Sequence, residues 1–532
     1  MTHSGSPAAH DPRTQRSAEQ GQGRTGSVPA AVWAAAGLAL ALRLVLSLST
    51  GFTAEDFLIS LRHAENLAAG HGLVYNPGER SLGATSPLYV LLLGLLSWMG
   101  LPASALGKAV NTAADAVLCL AVYRWMRAAG HERAGRVAAF LVAVHPWHAR
   151  WAVSGMETSL ATLGGLAALE AFAAGRTGRA AALLGLLFLV RWDSLLLAGT
   201  LAGAHLLRVR RPPVREAALY AAIVAPWTLF SLWVYGTPVP TTGNAKMTVY
   251  GWRFQGQWLP QLDDLAVRFL GTPGAALLTT LAVVGAARLA RQGVGALGPG
   301  LAWMGIYWTA FLLSRNLLFE WYLVPTLPVV EAAAAVGMTG LAERLRVSRS
   351  IAWTAAGLAA AGLALVSIRT CTEAQSIEEN LRKPIGLWLR AHSRPGDRVM
   401  LEPVGYIGYY SRLRVVDVVG LVTPQVLPYW RRGSPAPFLD IARAFRPEWC
   451  VLRPGELKRM VEAARSSSRP WEREYVLART FAYTPRPDRE PIIFHVFRRI
   501  GDPRESTSVR PRGPGPARNR TQGPRAAGSD AG

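Results

Sequence analysis

Charged residues are scarce in this sequence. They make up 17% of the 532 residues, whereas 50% are hydrophobic and the mean hydropathy is positive. A chain this apolar is not an ordinary soluble enzyme. The composition therefore indicates a polytopic membrane protein with a soluble appendage.

Acidic residues are the scarcer of the charged types. There are 34 aspartates and glutamates against 57 lysines and arginines, which gives a formal net charge of +23. Such a charge can indicate nucleic-acid binding, but the arginines lie mostly in short clusters between apolar runs and in the two tails. This distribution is typical of the cytoplasmic loops of a membrane protein, so we exclude a nucleic-acid partner.

Cysteine is also rare, with three residues in all. Cys119 lies in an apolar run and is predicted to be buried. Cys371 and Cys450 lie in the part with a soluble pattern, where a disulfide can form if that part is external. The sequence leaves this pairing open.

Composition divides the chain into four segments. Residues 1–27 are predicted to form a disordered cytoplasmic N-terminus and residues 501–532 a disordered basic tail. Residues 28–369 are predicted to form a transmembrane domain, and residues 370–500 a small external α/β domain. The predicted class is an α-helical polytopic membrane protein with a small α/β C-terminal extracytoplasmic domain.

The arginine clusters predict a topology. They recur at every second connection between apolar runs, at 124–136, 176–179, 208–215, 288–291 and 344–349. Placing all of them inside gives about 11 crossings, with the N-terminus inside and the C-terminal domain outside. The apolar run at 86–99 is too short for a crossing and is predicted to be a short helix on the outer side. A count of 12 or 13 spans gives the same two ends.

The first external loop, residues 51–87, contains a predicted amphipathic helix. At about 100° per residue, Glu55, Arg62 and Asn66 form one column on this helix, and Asp56 and His63 form a second column beside it. This arrangement indicates a site that contains two acids. The alternative is a capping box at Thr53 to Asp56, in which Asp56 satisfies a backbone amide at the helix start.

The polar motifs of this loop occur in a characteristic order. They are Glu55-Asp56, Arg62-His-Ala-Glu-Asn66, Gly70-His-Gly72, Asn76-Pro-Gly78 and Thr85-Ser-Pro-Leu88. The run resembles the first external loop of bacterial GT-C superfamily glycosyltransferases, in particular the mycobacterial arabinofuranosyltransferases and related membrane proteins. The resemblance implies a GT-C-like fold, a polyprenyl-phosphate sugar donor and a loop carboxylate as catalytic base.

The resemblance also implies roles for the residues of the loop. Asp56 becomes the favoured base, and Glu55 an alternative base or a support. Arg62, His63 and Asn66 become candidates for substrate binding. No cofactor is certain, although a divalent cation is compatible with a position between Asp56 and the phosphate.

Other candidates lie in later external connections. Glu157 follows Ser154 in a segment similar to one of the family, although the same residues could simply start a helix. Arg191 interrupts a long apolar run, where it either pairs with Asp193 or faces a cavity.

The second large external loop, residues 236–272, carries Lys246 in a segment that resembles the family's donor-phosphate loop. A lysine suits this role because its charge neutralises a departing phosphate; the alternative is an exposed loop lysine. Arg315 and Tyr322 begin another span and are further candidates for phosphate and substrate binding, although Tyr at an interface is also a common anchor.

His145 and His148 are three residues apart. Such spacing suits a metal pair on a helix, but Pro146 weakens that helix and no third ligand is evident, so interfacial anchoring is the favoured interpretation. We predict no metal site from protein residues alone.

These features together predict a glycosyltransferase of the cytoplasmic membrane. It would transfer a sugar, with arabinofuranose as one option, from a polyprenyl-phosphate donor to an external glycan, lipid or protein acceptor, with inversion. The alternatives are a transporter or flippase of lipid-linked sugars, which usually has repeated halves, and a non-catalytic membrane scaffold.

Overall fold

The computed structural model of the chain describes residues 27–253, 259–314, 319–346, 348–465 and 470–501. Its regular structure before residue 398 is helical, and five strands alternate with short helices after that point. The long helical part and the later sheet correspond to the membrane and soluble patterns of the sequence.

The helical part consists of long apolar helices and shorter helices in their connections. The helices are α1 (Ala30–Thr50), α2 (Glu55–Ala68), α3 (Pro87–Trp98), α4 (Ala103–Ala128), α5 (Glu132–Val144), α6 (Pro146–Ala152), α7 (Thr158–Ala173), α8 (Thr177–Val190), α9 (Leu195–Val209), α10 (Val214–Tyr235), α11 (Thr241–Arg253), α12 (Leu259–Leu270), α13 (Pro273–Gln292), α14 (Gly298–Leu313), α15 (Leu327–Leu345), α16 (Arg349–Ile377) and α17 (Lys383–His392).

Six helical segments in the described chain are long and apolar enough to cross a membrane. They are Ala30–Thr50, Ala103–Ala128, Val214–Tyr235, Pro273–Gln292, Gly295–Leu313 and Glu320–Leu345. The apolar helices α3, α7 and α8 are shorter. The short helix predicted at 86–99 is confirmed as α3. The apolar run that follows the first arginine cluster is divided between α5 and α6 at Pro146, which has no N–H to continue the helical ladder.

Glycine allows two of the long helices to approach closely. A Cβ at Gly285 of α13 would overlap the carbonyl of Ala333 in α15, and a Cβ at Gly337 of α15 would overlap the carbonyl of Leu281 in α13. Small residues at a crossing bring backbones together, as is typical of helix pairs in membranes.

A fully buried charge cluster ties four helices together. Nε of Arg43 in α1 donates to Asp115 of α4 at 2.8 Å, and His148 of α6 lies 3.4 Å from both Asp115 and Glu331 of α15. All four side chains are inaccessible to solvent. His148 is therefore part of an ion-pair cluster in the protein interior, which differs from both the metal pair and the interfacial anchor considered from the sequence.

His145 has a different role from His148. Its ring nitrogen accepts a hydrogen bond at 3.2 Å from the backbone N–H of Trp147, so it caps the start of α6. Within the described chain, no three His, Cys, Asp or Glu side chains are grouped as metal ligands would be.

The C-terminal part contains a mixed sheet and short helices. Its elements are β1 (Arg398–Leu401), α18 (Tyr406–Ser411), β2 (Arg414–Asp417), α19 (Leu427–Arg431), α20 (Pro437–Phe445), β3 (Trp449–Leu452), α21 (Pro454–Arg465), α22 (Trp471–Glu474), β4 (Tyr475–Tyr483) and β5 (Ile492–Arg499). The strand order is β2-β1-β3-β5-β4. Strands β1 and β2 are parallel, as are β1 and β3, and the pairs β3–β5 and β4–β5 are antiparallel. The sheet and its helices agree with the α/β pattern predicted for this part of the chain.

Cys371 and Cys450 do not form a disulfide. Both thiols are free and buried, Cys371 against Leu46 and Phe52, and Cys450 in the core of the sheet. The pairing that the sequence left open is therefore absent from the described structure.

Candidate active site

A cavity of about 310 Å³ lies among several connections of the helical part. Its charged side chains, with one histidine and one tyrosine, come from α2, the start of α7, the turn between α8 and α9, α11 and the turn before α15. The polar residues concerned are Asp56, His63, Glu157, Arg191, Asp193, Lys246 and Tyr322. These connections are ones that the arginine clusters predict to lie on one side of the membrane.

Asp56 and Lys246 face each other in this cavity. The ammonium nitrogen of Lys246 lies 3.9 Å from a carboxylate oxygen of Asp56, and the two side chains are 13% and 34% exposed, respectively. The N-cap of α2 is Ala54, and no side chain caps it. Asp56 is thus a cavity residue and does not act as the capping residue that the sequence allowed.

Aromatic rings surround Lys246. Its nitrogen lies 4.7 Å from the ring centre of Phe319, 5.5 Å from Trp321 and 5.4 Å from Tyr322. It also donates a hydrogen bond to the Tyr322 hydroxyl at 3.1 Å. Burial lowers the pKa of Lys246, but Tyr322 and Asp56 outweigh it, so the pKa is raised and the lysine stays charged.

Arg191 is the second cation of the cavity. Nε and a terminal nitrogen donate to the two oxygens of Asp193 at 3.2 and 2.7 Å, and the other terminal nitrogen lies 3.5 Å from Glu157. The hydroxyl of Tyr307 donates to Asp193 at 3.0 Å. The paired acids fix the position of the guanidinium, and its carbon lies 5.6 Å from the ring centre of Tyr322.

His63 lies in the same helical column as Asp56, about two turns further along α2, and is fully buried. Its Nδ1 is 2.9 Å from the carbonyl of Ile59, and its Nε2 has no hydrogen-bond partner in the described structure. Burial, reinforced by Arg62, lowers the pKa of His63 to about 4. A neutral ring with Nδ1 donating leaves Nε2 as an acceptor at the cavity wall.

The other column of α2 faces the C-terminal part of the chain. Glu55 accepts from the N–H of Gly405 at 2.9 Å and from Arg382 at 3.0 Å. Arg62 and Asn66 donate to backbone carbonyls, and none of these three side chains lines the cavity. Burial raises the pKa of Glu55, although Arg382 and the Gly405 N–H oppose the shift.

The structure therefore separates the predicted site residues into two groups. Asp56, His63, Glu157, Arg191, Lys246 and Tyr322 share the cavity, whereas Glu55, Arg62 and Asn66 are engaged elsewhere. Arg315 lies outside the described residues.

Sequence reasoning missed several lining residues. Trp321, which lines the cavity, and Phe319, whose ring contacts Lys246, were hidden among the aromatic residues that often anchor membrane proteins, although their position beside Tyr322 was a usable signal. Leu421 belongs to the C-terminal part and could not be assigned to a cavity so distant in sequence. The buried Asp417 shapes its loop by accepting from the N–H groups of Val419 and Val422 at 2.9 and 3.0 Å.

Residues 369–500 match a family model described as a domain of unknown function, DUF8728. No curated protein matches the sequence. The family match covers the sheet and the helices that lead into it, and the description of the family names no activity.

Solved structures of two proteins resemble most of the chain. ArnT from Cupriavidus metallidurans bound to undecaprenyl phosphate aligns over 86% of this chain and 96% of its own, with a TM-score of 0.53 and 13% identity. The apo oligosaccharyltransferase of Archaeoglobus fulgidus aligns over 81% of this chain and 70% of its own, with a TM-score of 0.52 and 13% identity. At this identity the likeness shows the fold, and the chain is therefore a polytopic α-helical membrane protein with a GT-C-like fold and a small C-terminal sheet region.

Proposed function

We propose that this protein is a membrane glycosyltransferase that transfers a sugar from a polyprenyl-phosphate donor to an acceptor hydroxyl outside the cytoplasmic membrane. Asp56 removes the proton of the acceptor hydroxyl as its oxygen bonds to the anomeric carbon. The bond from that carbon to the phosphate oxygen breaks, and its electron pair leaves with the polyprenyl phosphate. A single displacement inverts the anomeric configuration.

The observation that carries this proposal is the placement of a carboxylate and two cations on one cavity. Asp56 lies 3.9 Å from Lys246, and Arg191 shares the cavity wall with Tyr322. A base beside fixed positive charge suits the departure of an anionic phosphate, because the charge is stabilised where it develops. Lys246 pairs with Asp56 in the structure, and a donor phosphate would compete for the lysine and leave the carboxylate free to accept a proton.

The remaining lining fits a lipid-linked sugar. Trp192, Leu195, Leu196, Met247 and Phe311 supply apolar surface beside the cations. His63 belongs to the cavity lining, and we assign to its unpartnered Nε2 a hydrogen bond from a substrate hydroxyl. The ArnT neighbour was solved with undecaprenyl phosphate, which supports a polyprenyl phosphate here.

The acceptor follows from the same neighbours only at the level of class. The Archaeoglobus fulgidus enzyme was solved with a tethered acceptor peptide at a TM-score of 0.52, while the resemblance of the first loop favours envelope glycans and arabinofuranosyl transfer. We propose a glycan, lipid or protein acceptor of the cell envelope, with the C-terminal domain (residues 370–500) outside and the N-terminus inside.

The described residues do not fit a dedicated divalent-cation site. Each carboxylate that lines the cavity is already paired with a cation, Asp56 with Lys246 at 3.9 Å, and Glu157 and Asp193 with Arg191 at 3.5 and 2.7 Å. The proposed reaction therefore includes no metal ion, and Lys246 and Arg191 stabilise the departing phosphate.

The test uses purified protein in liposomes with labelled polyprenyl-phosphate sugars and a crude envelope acceptor fraction. Asp56→Asn should lower transfer by about 10²- to 10⁴-fold, the usual contribution of a general base. Asp263 is exposed in α12, so Asp263→Asn is the matched control and should leave the rate unchanged. Full turnover by Asp56→Asn would show that Asp56 is not the general base. Movement of the donor across the bilayer without product would identify a transporter.

A further inference from the structure

A short helix of the C-terminal part packs against α2, the helix that carries Asp56. This docking helix is α18 together with Val404 and Gly405, which precede it. It contacts the Glu55 and Arg62 column of α2 and the loop that follows α2. The cavity column, with Asp56 and His63, therefore lies on the neighbouring face of a helix whose other face is clamped.

Arg62 forms the centre of the clamp. Its guanidinium donates to the carbonyls of Tyr75 at 3.0 Å, Gly408 at 2.6 Å and Leu413 at 2.6 Å. The group is 4% exposed and lies 4.2 Å from the Tyr75 ring centre. Three carbonyls around a buried guanidinium leave little freedom for α2 to rotate or slide, and removing this donor would leave them unpaired.

Two further hydrogen bonds belong to the clamp. Gly405 donates its N–H to Glu55 at 2.9 Å, directly beside Asp56 in sequence. The hydroxyl of Tyr75 donates to the carbonyl of Val404 at 2.8 Å. The docking helix thus contacts the first turn of α2 directly. It also contacts the loop at Tyr75, which Arg62 fastens to the second half of α2.

Glycine is required for this close approach. A Cβ at Gly405 would overlap the Cγ and carbonyl of Glu55, and a Cβ at Gly408 would overlap the hydroxyl of Tyr75. In contrast, a Cβ at Gly455 of α21 would meet no atom within 4 Å. The two glycines of the docking helix are therefore matched to the surface of the α2 region, and a third glycine of the same domain provides a control.

We infer that the docking helix positions Asp56 against Lys246, so that Arg62 and Gly405 are positioning residues for the transfer reaction, an inference that rests on the proposed function. Lys246 and Arg191 are carried by other elements. A small movement of α2 would therefore displace the base while leaving the phosphate-binding cations in place. Misplacement by about 1 Å can cost on the order of 100-fold in rate.

The test compares Gly405→Ala, Arg62→Lys and the control Gly455→Ala in the full-length protein. Hydrogen exchange of the backbone amides in residues 55–68 reports on docking without any substrate. Transfer kinetics, normalised to the folded fraction from size exclusion, report on positioning. If Gly405→Ala does not fold, Arg62→Lys, which keeps the charge but loses the planar fork, carries the test.

We expect faster exchange of α2 in both variants, with kcat reduced by about 10- to 100-fold and the donor KM within a factor of about two. The control should match wild type in both measurements. Unchanged exchange of α2 would overturn the docking, and faster exchange with an unchanged kcat per folded molecule would overturn the positioning role. Absence of transfer in the wild-type protein would count against the proposed function alone, because the exchange measurement would still decide the docking.

Discussion

The ammonium nitrogen of Lys246 lies 3.9 Å from the carboxylate of Asp56 and 3.1 Å from the hydroxyl of Tyr322. The lysine comes from α11 and the aspartate from α2, so the pair depends on how these two elements pack. A cation held by aromatic rings and a carboxylate has few other conformations, and its charge is already in place when a phosphate arrives.

Replacement of Lys246 should weaken the reaction through the leaving group. Lys246→Met is expected to lower kcat/KM for the donor by about 10²- to 10³-fold, as the loss of one preorganised donor does elsewhere. Lys246→Arg keeps the charge and should recover part of the loss. Initial rates over a range of donor concentrations measure the effect, with the exposed Lys458→Met as control. A rate for Lys246→Met equal to that of the control would remove Lys246 from the site.

Arg191 should bind the donor by geometry as well as by charge. Arg191→Lys keeps the charge but loses the fork that Asp193 holds, and is expected to raise the donor KM by about 10-fold, the value of one charge-assisted hydrogen bond. The exposed Arg211→Lys is the control. Donor titrations of both variants measure the difference. An unchanged KM would assign Arg191 to structure alone.

The buried His63 predicts a pH-dependent stability. Its pKa falls from 6.5 to about 4 in the folded protein because burial disfavours the charged ring. Between these two pH values the ring binds a proton in the unfolded chain but stays neutral in the folded protein. The contribution of His63 to the free energy of unfolding is therefore fully present above pH 6.5 and decreases as the pH falls below it. The slope is up to about 1.4 kcal/mol per pH unit.

Chemical unfolding of wild type and His63→Gln in detergent, from pH 7 to pH 5, measures this contribution. The difference in unfolding free energy between the two proteins should shrink as the pH falls. Asp417, whose pKa is raised by burial to about 6, acts in the opposite direction but cancels in the difference. The exposed His71→Gln should give a constant difference from wild type. A constant difference for His63→Gln would contradict a neutral buried ring.

The buried charge cluster should dominate the stability of the helical part. Asp115→Asn leaves the buried Arg43 without its carboxylate partner and is expected to cost about 3 to 5 kcal/mol. Thermal unfolding in detergent, compared with the exposed Asp263→Asn, measures the loss. Equal transition temperatures for the two variants would show that the cluster contributes little.

Much of the fold could be predicted from patterns along the chain. Apolar length indicated the long helices, and the residue pattern of positions 370–500 predicted a small α/β domain, because both signals are local. The same holds for α2, where helical geometry alone placed Glu55 with Arg62 in one column and Asp56 with His63 in the next. Capping was a weaker local signal, and Asp56 does not serve as a cap.

Contacts between distant segments could not be predicted in this way. Asp115 and Glu331 lie in different helices more than 200 residues apart, and nothing near either one indicates that both meet His148. Leu421 reaches the cavity only because the C-terminal part packs against the loop at residues 51–87.

The sequence by itself determined which side chains share a face of α2, because 3.6 residues per turn fix that relationship wherever the helix lies. Only the tertiary structure decided which face meets the cavity and which meets the C-terminal domain. The decision rests on packing between segments remote in sequence: Gly405 and the carbonyl of Gly408 receive the Glu55 and Arg62 column, and Asp56 is thereby left opposite Lys246.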